Sequence, residues 1–389
     1  MGKKTEKRFR LKHHKNQLLV LAMLVFFAVL QYSGLLKRSS ANLLTQIGFS
    51  MMLAVSLNLV VGFLGELSLG HAGFMCIGAY LGSYLGSLLG AVVPNRLAVL
   101  LISMLAGGVC AAVFGFAVGL PALRLKGDYL AIVTLAFGEI VRNIFKNLPW
   151  FGGALGFSGK TYGTTLFIVT FAAVVLMLVL MENLIRSKHG RAITAIRDNE
   201  IAAKAMGVNV TFYKLLVFIL SAFFAGVAGV IYGSYATPIL YSFFSYNYSI
   251  EILVMVVLGG MGSITGSLLS ATLITYINFM LTTRLSGDMA ALKYLVYALI
   301  LMVVVIFNNA PALKSFKETY SLSALTERLR KRLIRRSAEK EAGRIRDDAS
   351  AWNRVPTKIN MDEILSTNVT APEGGIADKP DKPDKPEKR

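Results

Sequence analysis

Long apolar runs separated by short polar connections are the feature that most constrains how this chain can fold. A helix that crosses a bilayer needs about 20 apolar residues, because each residue adds about 1.5 Å. Suitable runs, several of them short or interrupted by glycine, cover residues 17–33, 42–61, 68–90, 96–120, 128–146, 163–183, 213–236, 249–262, 265–283 and 291–308. The sequence therefore predicts an all-α fold, a polytopic transmembrane helix bundle of about ten spans with broken or short helices.

Composition and charge distribution are those of a membrane protein. Charged residues make up 16% of the chain, against about 25% in an average soluble protein. The net charge of +19 comes mainly from the two ends and from residues 186–204, which the positive-inside rule places at the cytoplasmic face, near anionic lipid headgroups. Because these charges flank apolar spans and no aromatic-basic platform accompanies them, nucleic acid is not an expected partner.

Three regions of different composition follow one another along the chain. Residues 1–16 form a basic cytoplasmic N-terminus without a small-residue cleavage site after it, so the first apolar run is expected to remain as a span. Residues 17–308 form the transmembrane domain. Residues 309–389 form a charged cytoplasmic tail, expected to be partly helical and then disordered where proline recurs at every third residue.

A long polar segment, residues 186–212, separates two of the spans and is called the polar loop below. It is basic and helix-prone, and it has room for about five turns of helix, more than a simple connection needs. Ala202 and Ala203 favour helix and let a partner surface come close, and Gly207 can end the helix in a left-handed conformation. Two interpretations remain open, a docking surface for a soluble partner and an ordinary amphipathic linker.

Polar residues gather where the second and third spans meet. Asn58, Ser68 and His71 accompany glycines at a predicted helix break, and Glu66 is expected at the cytoplasmic edge, in water. Broken helices expose backbone groups that can hold ions or polar solutes, although a lone histidine is more often a structural hydrogen-bonding residue. The candidate transport path consists of Asn58, Ser68, His71, Tyr80, Thr134 and Glu139.

Two residues of opposite charge lie in the interior of the span 128–146. Glu139 and Arg142 share a helix face at this spacing and can form an ion pair. Such a pair at membrane depth is costly and points to function, whereas the same pair at the outer interface is satisfied by water. Both interpretations remain open.

Glycine recurs at every fourth residue in the third span. Small residues at this interval let two helices approach backbone to backbone, so the stripe predicts a helix-packing surface. The stripe consists of Gly78, Gly82, Gly86 and Gly90. A second glycine-rich segment, Leu258–Gly266, resembles residues 61–70, and both are expected on the cytoplasmic side.

Groups for catalysis, metal binding or ATP hydrolysis are not found in the sequence. There is no nucleophile–histidine–carboxylate set and no metal-ligand cluster, and the two cysteines lie in apolar segments. Residues 154–161 loosely fit a phosphate-binding loop, but turn residues precede them and the topology places them outside, away from ATP. We therefore expect a protein that is not an enzyme and needs no cofactor or metal.

Four blocks of the sequence resemble one known family. They are SLNLVVGFLGELSLGHAGFMCIGAY, RLKGDYLAIVTLAFGEIVR, GRAITAIRDNEIAAKAMGVNVTFYKLLVFILSAFFAGVAGVIYG and VVLGGMGSITGSLL, in this order within residues 42–308. They closely resemble the LivM-type permease subunits of bacterial branched-chain amino acid ABC importers. The core of the polar loop, from Glu200 to Gly207, also resembles the EAA–glycine motif by which ABC-importer permeases couple to their ATPases.

The resemblance implies an ABC-importer permease fold in the bacterial cytoplasmic membrane. It also implies four partners: a homologous LivH-type permease subunit, two cytoplasmic ABC ATPase subunits that hydrolyse the ATP, and a periplasmic or lipid-anchored substrate-binding protein. The ATPase-coupling residues are then expected to be Arg191, Ala195, Arg197, Glu200, Ala202, Ala203 and Gly207. Related members carry urea or short amides, which stay open as substrates. An ion-coupled secondary transporter, which has no need for a coupling helix, is the remaining alternative.

Overall fold

The computed structural model describes residues 38–122, 125, 127–159, 161–163, 166–284, 298–299 and 302. The predictions for the basic N-terminus 1–16, the first span 17–33, most of the last span 291–308 and the tail 309–389 lie outside the described residues. The same holds for Lys160 in the glycine-rich segment 154–161.

The described part of the chain is helical, which confirms the predicted all-α class. It contains no β-strand, and only an isolated antiparallel bridge joins Phe157 and Ile239. We number the helices α1 (Arg38–Asn58), α2 (His71–Ile77), α3 (Ser83–Val92), α4 (Arg96–Ala122), α5 (Asp128–Asn147), α6 (Leu166–Arg186), α7 (Lys188–Asp198), α8 (Glu200–Ala205), α9 (Val210–Tyr235), α10 (Tyr246–Gly259) and α11 (Ile264–Arg284).

Six helical segments among the described residues are long and apolar enough to cross a membrane. The first combines α1 with the π-helical turn Leu59–Leu64, and the second joins α2 and α3 through the π-helical turn Gly78–Gly82. The other four are α4, α6, α9 and α11. Helix α5 carries several charged side chains and α10 has only 14 residues, so the total of about ten spans stays a prediction.

Helix α1 lies at the centre of the bundle, whereas α4 presents one side outward. The first span is 94% buried over its most apolar stretch. Helix α4 exposes large apolar side chains at nearly every fourth position, the arrangement of a face that meets lipid or another apolar helix. These side chains are Leu97, Leu101, Leu105, Val109 and Val113.

The predicted helix break after the first span is present. The π-helical turn ends at Gly65, whose φ of +83° is left-handed and suits a residue without a Cβ. Residues 65–70, called the first break, are not helical, and the chain becomes helical again at His71. A second break, residues 260–263, separates α10 from α11 and contains Gly260 and Gly262 at φ of +91° and +81°.

Part of the glycine stripe lies where three helices meet. A Cβ added to Gly78 would overlap backbone atoms of Gly226 in α9, and one added to Gly107 in α4 would lie 3.1 Å from the Gly78 oxygen. A Cβ on Gly82 would overlap Val230, and one on Gly86 would lie 2.7 Å from Ser103 Oγ. Gly90, farther along, is half-buried in a shallow hollow beside Arg96 and Tyr162.

The polar loop forms two short helices instead of one continuous helix. Asn199 between α7 and α8 is extended, with φ and ψ of −159° and 105°, and its side chain accepts a hydrogen bond from the Ala202 N–H. Ser187 caps α7 in the same way. An asparagine side chain that satisfies a free N–H favours a new helix start over continuation. Gly207 has a φ of +81°, which confirms its predicted left-handed conformation.

Candidate functional site: the two helix breaks and the polar loop

His71 begins α2 inside a group of hydroxyl side chains. It is 1% exposed, and its Nε2 lies 3.2 Å from Ser56 Oγ and 3.1 Å from Ser221 Oγ. Both hydroxyl protons already point to backbone oxygens, of Leu53 and of Ser56. We therefore assign the Nε2–H tautomer, in which His71 donates to both serines and joins α1, α2 and α9.

Two side chains from other helices satisfy the backbone at the first break. The Leu69 N–H donates to Thr134 Oγ1 over 3.0 Å, and the Ala72 N–H donates to Ser249 Oγ over 3.1 Å. The first N–H groups of a helix have no partner within that helix. Thr134 on α5 and Ser249 on α10 therefore hold the first break against its neighbours. Ser68, in the same break, is completely buried.

Asn58 joins the first half of the site to the second break. Its Nδ2 donates to the Ser263 oxygen over 3.1 Å and to Ser267 Oγ over 2.9 Å. Its Oδ1 accepts from the Gly262 N–H over 2.9 Å. The backbones approach closely here, since a Cβ on Gly62 would overlap the Gly262 nitrogen. The two glycine-rich segments that resemble one another in sequence thus lie in contact.

Arg197 connects helix α7 of the polar loop to the end of the first span. Its Nη1 donates to the Gly62 backbone oxygen over 3.1 Å. Gly65 makes room for the same side chain, because a Cβ there would lie 2.7 Å from Arg197 Cγ. The guanidinium also pairs with Asp198 at 2.9 Å, on the exposed side.

Lys214 forms a second connection between the polar loop and the first break. Its Nζ lies 2.5 Å from Glu66 Oε1 and 3.2 Å from Glu200 Oε2. The lysine side chain is 4% exposed and that of Glu66 is 14% exposed. The expectation that Glu66 lies in water is therefore wrong, since a buried cation on α9 draws its carboxylate inward.

The outer face of the polar loop is open and partly apolar. Ile201 is 80% exposed and Met206 is 84% exposed. Of the residues predicted to couple to an ATPase, Arg191, Ala195, Arg197, Ala202 and Gly207 are exposed, Glu200 is half-buried, and Ala203 is buried. Large exposed apolar side chains on a charged helical surface are typical of a docking site.

Tyr80 and Glu139, the other two residues of the candidate path, have side-chain partners outside the two breaks. Tyr80 stacks on Phe145 with ring centroids 4.5 Å apart, and its hydroxyl donates to the Ile239 oxygen. Glu139 forms the predicted ion pair with Arg142 at 2.6 Å and accepts a hydrogen bond from the Tyr246 N–H at the start of α10. Glu139 therefore caps a helix.

The five uncharged residues of the candidate path are buried among the described residues in this conformation. Each is at most 1% exposed. They are Asn58, Ser68, His71, Tyr80 and Thr134. The structure brings Ser68, His71 and Thr134 together at the first break and places Asn58 against the second, and their role in transport stays a prediction.

Sequence patterns did not identify several of the residues that hold this site. A signal was present for Lys214, since a charged residue at the start of an apolar run calls for a partner. The sequence contained no comparable signal for the serines, because small hydroxyl residues are common in membrane helices simply as packing residues. The missed serines are Ser56, Ser221, Ser249, Ser263 and Ser267.

These features define a class: a multi-pass membrane permease whose broken helices are attached to a helical polar loop. The chain belongs to the family of permease components of branched-chain amino acid transport systems, whose model matches residues 39–305. This match includes both breaks and the polar loop.

Curated relatives agree with this family. The high-affinity branched-chain amino acid transport permease LivM of Salmonella typhimurium is 35% identical over 298 residues, 67% of each chain. LivM of Escherichia coli is 33% identical over 294 residues, again 67% of each chain. A probable permease LivH of Methanocaldococcus jannaschii is 33% identical over 114 residues, 29% of this chain and 34% of that protein. No solved structure shows a significant match.

Proposed function

We propose that this chain is the permease subunit of an ATP-driven importer of branched-chain amino acids in the bacterial cytoplasmic membrane. The observation that carries the proposal is the arrangement of the polar loop. Its outer face, with Ile201 and Met206, is open, while on the other side Arg197 binds the Gly62 carbonyl at the end of the first span. Glu200 is linked through Lys214 to Glu66 in the first break. A partner that moves this loop also moves the broken helix.

The contacts give a physical route from the loop to both breaks. Arg197 holds the Gly62 carbonyl, and Lys214 links Glu200 to Glu66. Asn58, one turn before Gly62, then holds the second break. In this mechanism one of the two cytoplasmic ABC ATPases docks on the loop, the ATPases hydrolyse ATP, and this chain transmits the movement.

The transport path in this proposal lies between this chain and a homologous LivH-type permease, with lipid around the pair. A periplasmic or lipid-anchored binding protein delivers the substrate. The buried polar residues at the breaks line the path when the loop moves, since broken helices expose backbone groups that can hold polar solutes. Selectivity then rests largely with the binding protein.

The test is ATP-driven uptake by the complete importer in proteoliposomes, with leucine and urea as alternative substrates. Ile201→Asp places a charge on the apolar docking face, so we expect the ATPases to be lost on purification and leucine uptake to fall at least about tenfold. Leu155→Asp is the matched control, because Leu155 is 86% exposed but lies in the loop after α5.

Three results contradict parts of this proposal. If Ile201→Asp retains the ATPases and full uptake, the polar loop is not the docking surface. If the complete complex transports urea but not leucine, the proposed substrate class of branched-chain amino acids is wrong. If the chain moves leucine without ATPases, under an ion gradient, the importer class is wrong.

A further inference from the structure

A cavity of about 400 Å³ lies among α1, α9, α10 and α11, and the site described above does not use it. It is bordered by Phe49, Tyr232, Phe243, Tyr248, Glu251 and Thr275. Thr275 lies 11 residues beyond Ile264, the start of α11 next to the second break. At 1.5 Å per residue this is about 16 Å along a helix that crosses about 30 Å of hydrocarbon. The cavity is therefore near mid-membrane.

One wall of the cavity is polar and acidic. The Glu251 carboxylate on α10 accepts a hydrogen bond from Asn278 Nδ2 on α11 over 3.0 Å. A carboxylate at this depth is costly, and such residues usually mark the path of a substrate or ion. The Glu251 carboxylate therefore offers acceptor oxygens and a negative charge to a ligand in the cavity.

Thr275 adds an unsatisfied hydroxyl to the same wall. It is 7% exposed, and its Oγ1 has no hydrogen-bond partner among the described residues. Because Thr275 and Asn278 are one helical turn apart, the hydroxyl and the Glu251–Asn278 pair face the cavity from neighbouring positions. Buried hydroxyl groups are nearly always paired, so this one points to a ligand with an acceptor.

The remaining wall of the cavity includes several aromatic rings. Tyr232 stacks on Phe243 with centroids 4.2 Å apart, Phe243 lies 4.5 Å from Tyr248, and Phe49 meets Tyr232 edge-on at 5.7 Å. These rings offer an apolar surface for a hydrocarbon group. A volume of this size, apolar with a few convergent polar groups, is typical of a small-molecule site.

We propose that this cavity is a transit site for a zwitterionic amino acid with a hydrocarbon side chain. The ammonium group binds Glu251, the carboxylate accepts a hydrogen bond from the Thr275 hydroxyl, and the side chain lies on Phe49, Tyr232 and Phe243. The inference rests on the proposed function and adds a place within this chain where the substrate is held.

The test is protection of a cavity cysteine in the purified complex, without ATP and without the binding protein. Ser50→Cys places a thiol on the wall of the cavity, in a chain whose Cys76 and Cys110 are replaced by alanine. Its reaction with a small maleimide is followed with leucine, 4-methylpentanoate or 3-methylbutylamine present. We expect leucine to protect at concentrations about tenfold lower than either analogue, because each analogue lacks one charged hydrogen-bonding group.

Variants then assign the two polar contacts. Glu251→Gln and Thr275→Val should each raise the protecting concentration of leucine about tenfold. Thr272→Val is the matched control, since its hydroxyl donates to the Leu268 oxygen within α11 and lies outside the cavity. The complex with Thr275→Val should have a Tm no lower than that of the parent complex. The substitution removes a hydroxyl that has no partner among the described residues and keeps the shape of the side chain.

Protection separates this inference from the proposed function. If leucine does not protect Ser50→Cys, or protects equally in the Glu251→Gln and Thr275→Val variants, the cavity site is wrong even if the complex imports leucine. If leucine protects as expected but the complete importer does not move it, the site stands and the proposed function fails.

Discussion

Arg197 donates a hydrogen bond to the backbone oxygen of Gly62, 135 residues earlier in the chain, over 3.1 Å. The same guanidinium pairs with Asp198 on its exposed side. One side chain thus has an inner contact with the broken helix and an outer contact with its own helix. The outer contact can be removed alone by a change at Asp198, so a comparison with a change at Arg197 isolates the effect of the inner contact.

Arg197→Gln should uncouple ATP hydrolysis from transport. The variant loses a charged donor to a backbone oxygen, a contact that contributes about 1.5–3 kcal/mol, so we expect leucine uptake to fall about tenfold or more while the ATPases stay bound. Asp198→Asn is the control, because an exposed ion pair contributes about 0–1 kcal/mol. Equal uptake in the two variants would show that the Gly62 contact has no role in coupling.

Lys214→Met should destabilise the complex. It removes the cation between Glu66 and Glu200 and leaves a largely buried carboxylate unpaired, at a cost of about 3–5 kcal/mol. The measurement is the Tm of the purified complex, with Lys204→Met as a control at an exposed lysine of α8. An unchanged Tm for Lys214→Met would contradict a stabilising role for the ion pairs of Lys214 with Glu66 and Glu200.

Glu200→Arg, which places a second cation beside Lys214, should abolish uptake.

Asn58→Asp should separate the two breaks. The variant keeps the acceptor for the Gly262 N–H but loses both donations to the Ser263 oxygen and Ser267 Oγ. We expect a loss of about 1–3 kcal/mol in stability, because the new carboxylate oxygen faces the Ser263 oxygen and both are acceptors. Uptake should also fall. Ser267→Ala removes one of these bonds and should cost less. If the two variants lose equal stability, Asn58 holds no more than that single contact.

The helices could largely be predicted from the sequence. The run 96–120 corresponds to a span at Arg96–Pro121, and the run 42–61 to one at Ser39–Leu64. Apolar length and glycine placement are local properties, so they also indicated the first break and the left-handed Gly207. The start of a second helix after Asn199 was missed, because asparagine within a helix-prone segment has only a weak effect until its side chain caps a helix.

The contacts that join the site could not be predicted in this way. Arg197 and Gly62, or Lys214 and Glu66, are more than 100 residues apart and belong to different segments of the fold. Periodicity shows which face of a helix is apolar, but it does not say which two helices meet or in what register. The prediction that Glu66 lies in water was wrong for this reason, since its partner is on α9.

Gly78→Ala should impair packing where three helices meet. The added methyl group would overlap the Gly226 backbone, which cannot move aside as a side chain could. Overpacking of this kind costs about 1–3 kcal/mol. Gly138→Ala is the same change at a glycine whose added Cβ would have no neighbour closer than 3.7 Å, and it should leave the Tm unchanged. Equal Tm values for the two variants would show that the π-helical turn Gly78–Gly82 and α9 can move apart at little cost.

Ser68→Cys should report when the first break opens. Ser68 is completely buried, and its Oγ has no hydrogen-bond partner among the described residues, so the substitution removes no contact and changes little volume. If the path opens at this break, the thiol should be inert to a small water-soluble maleimide in the resting complex. It should react during ATP turnover with leucine, and Arg197→Gln in the same chain should suppress that reaction. Cys76 and Cys110, the two native cysteines, are replaced by alanine in all samples. A thiol that stays inert in both states would place the path away from Ser68, and one that reacts equally in both would show that the break is open without ATP.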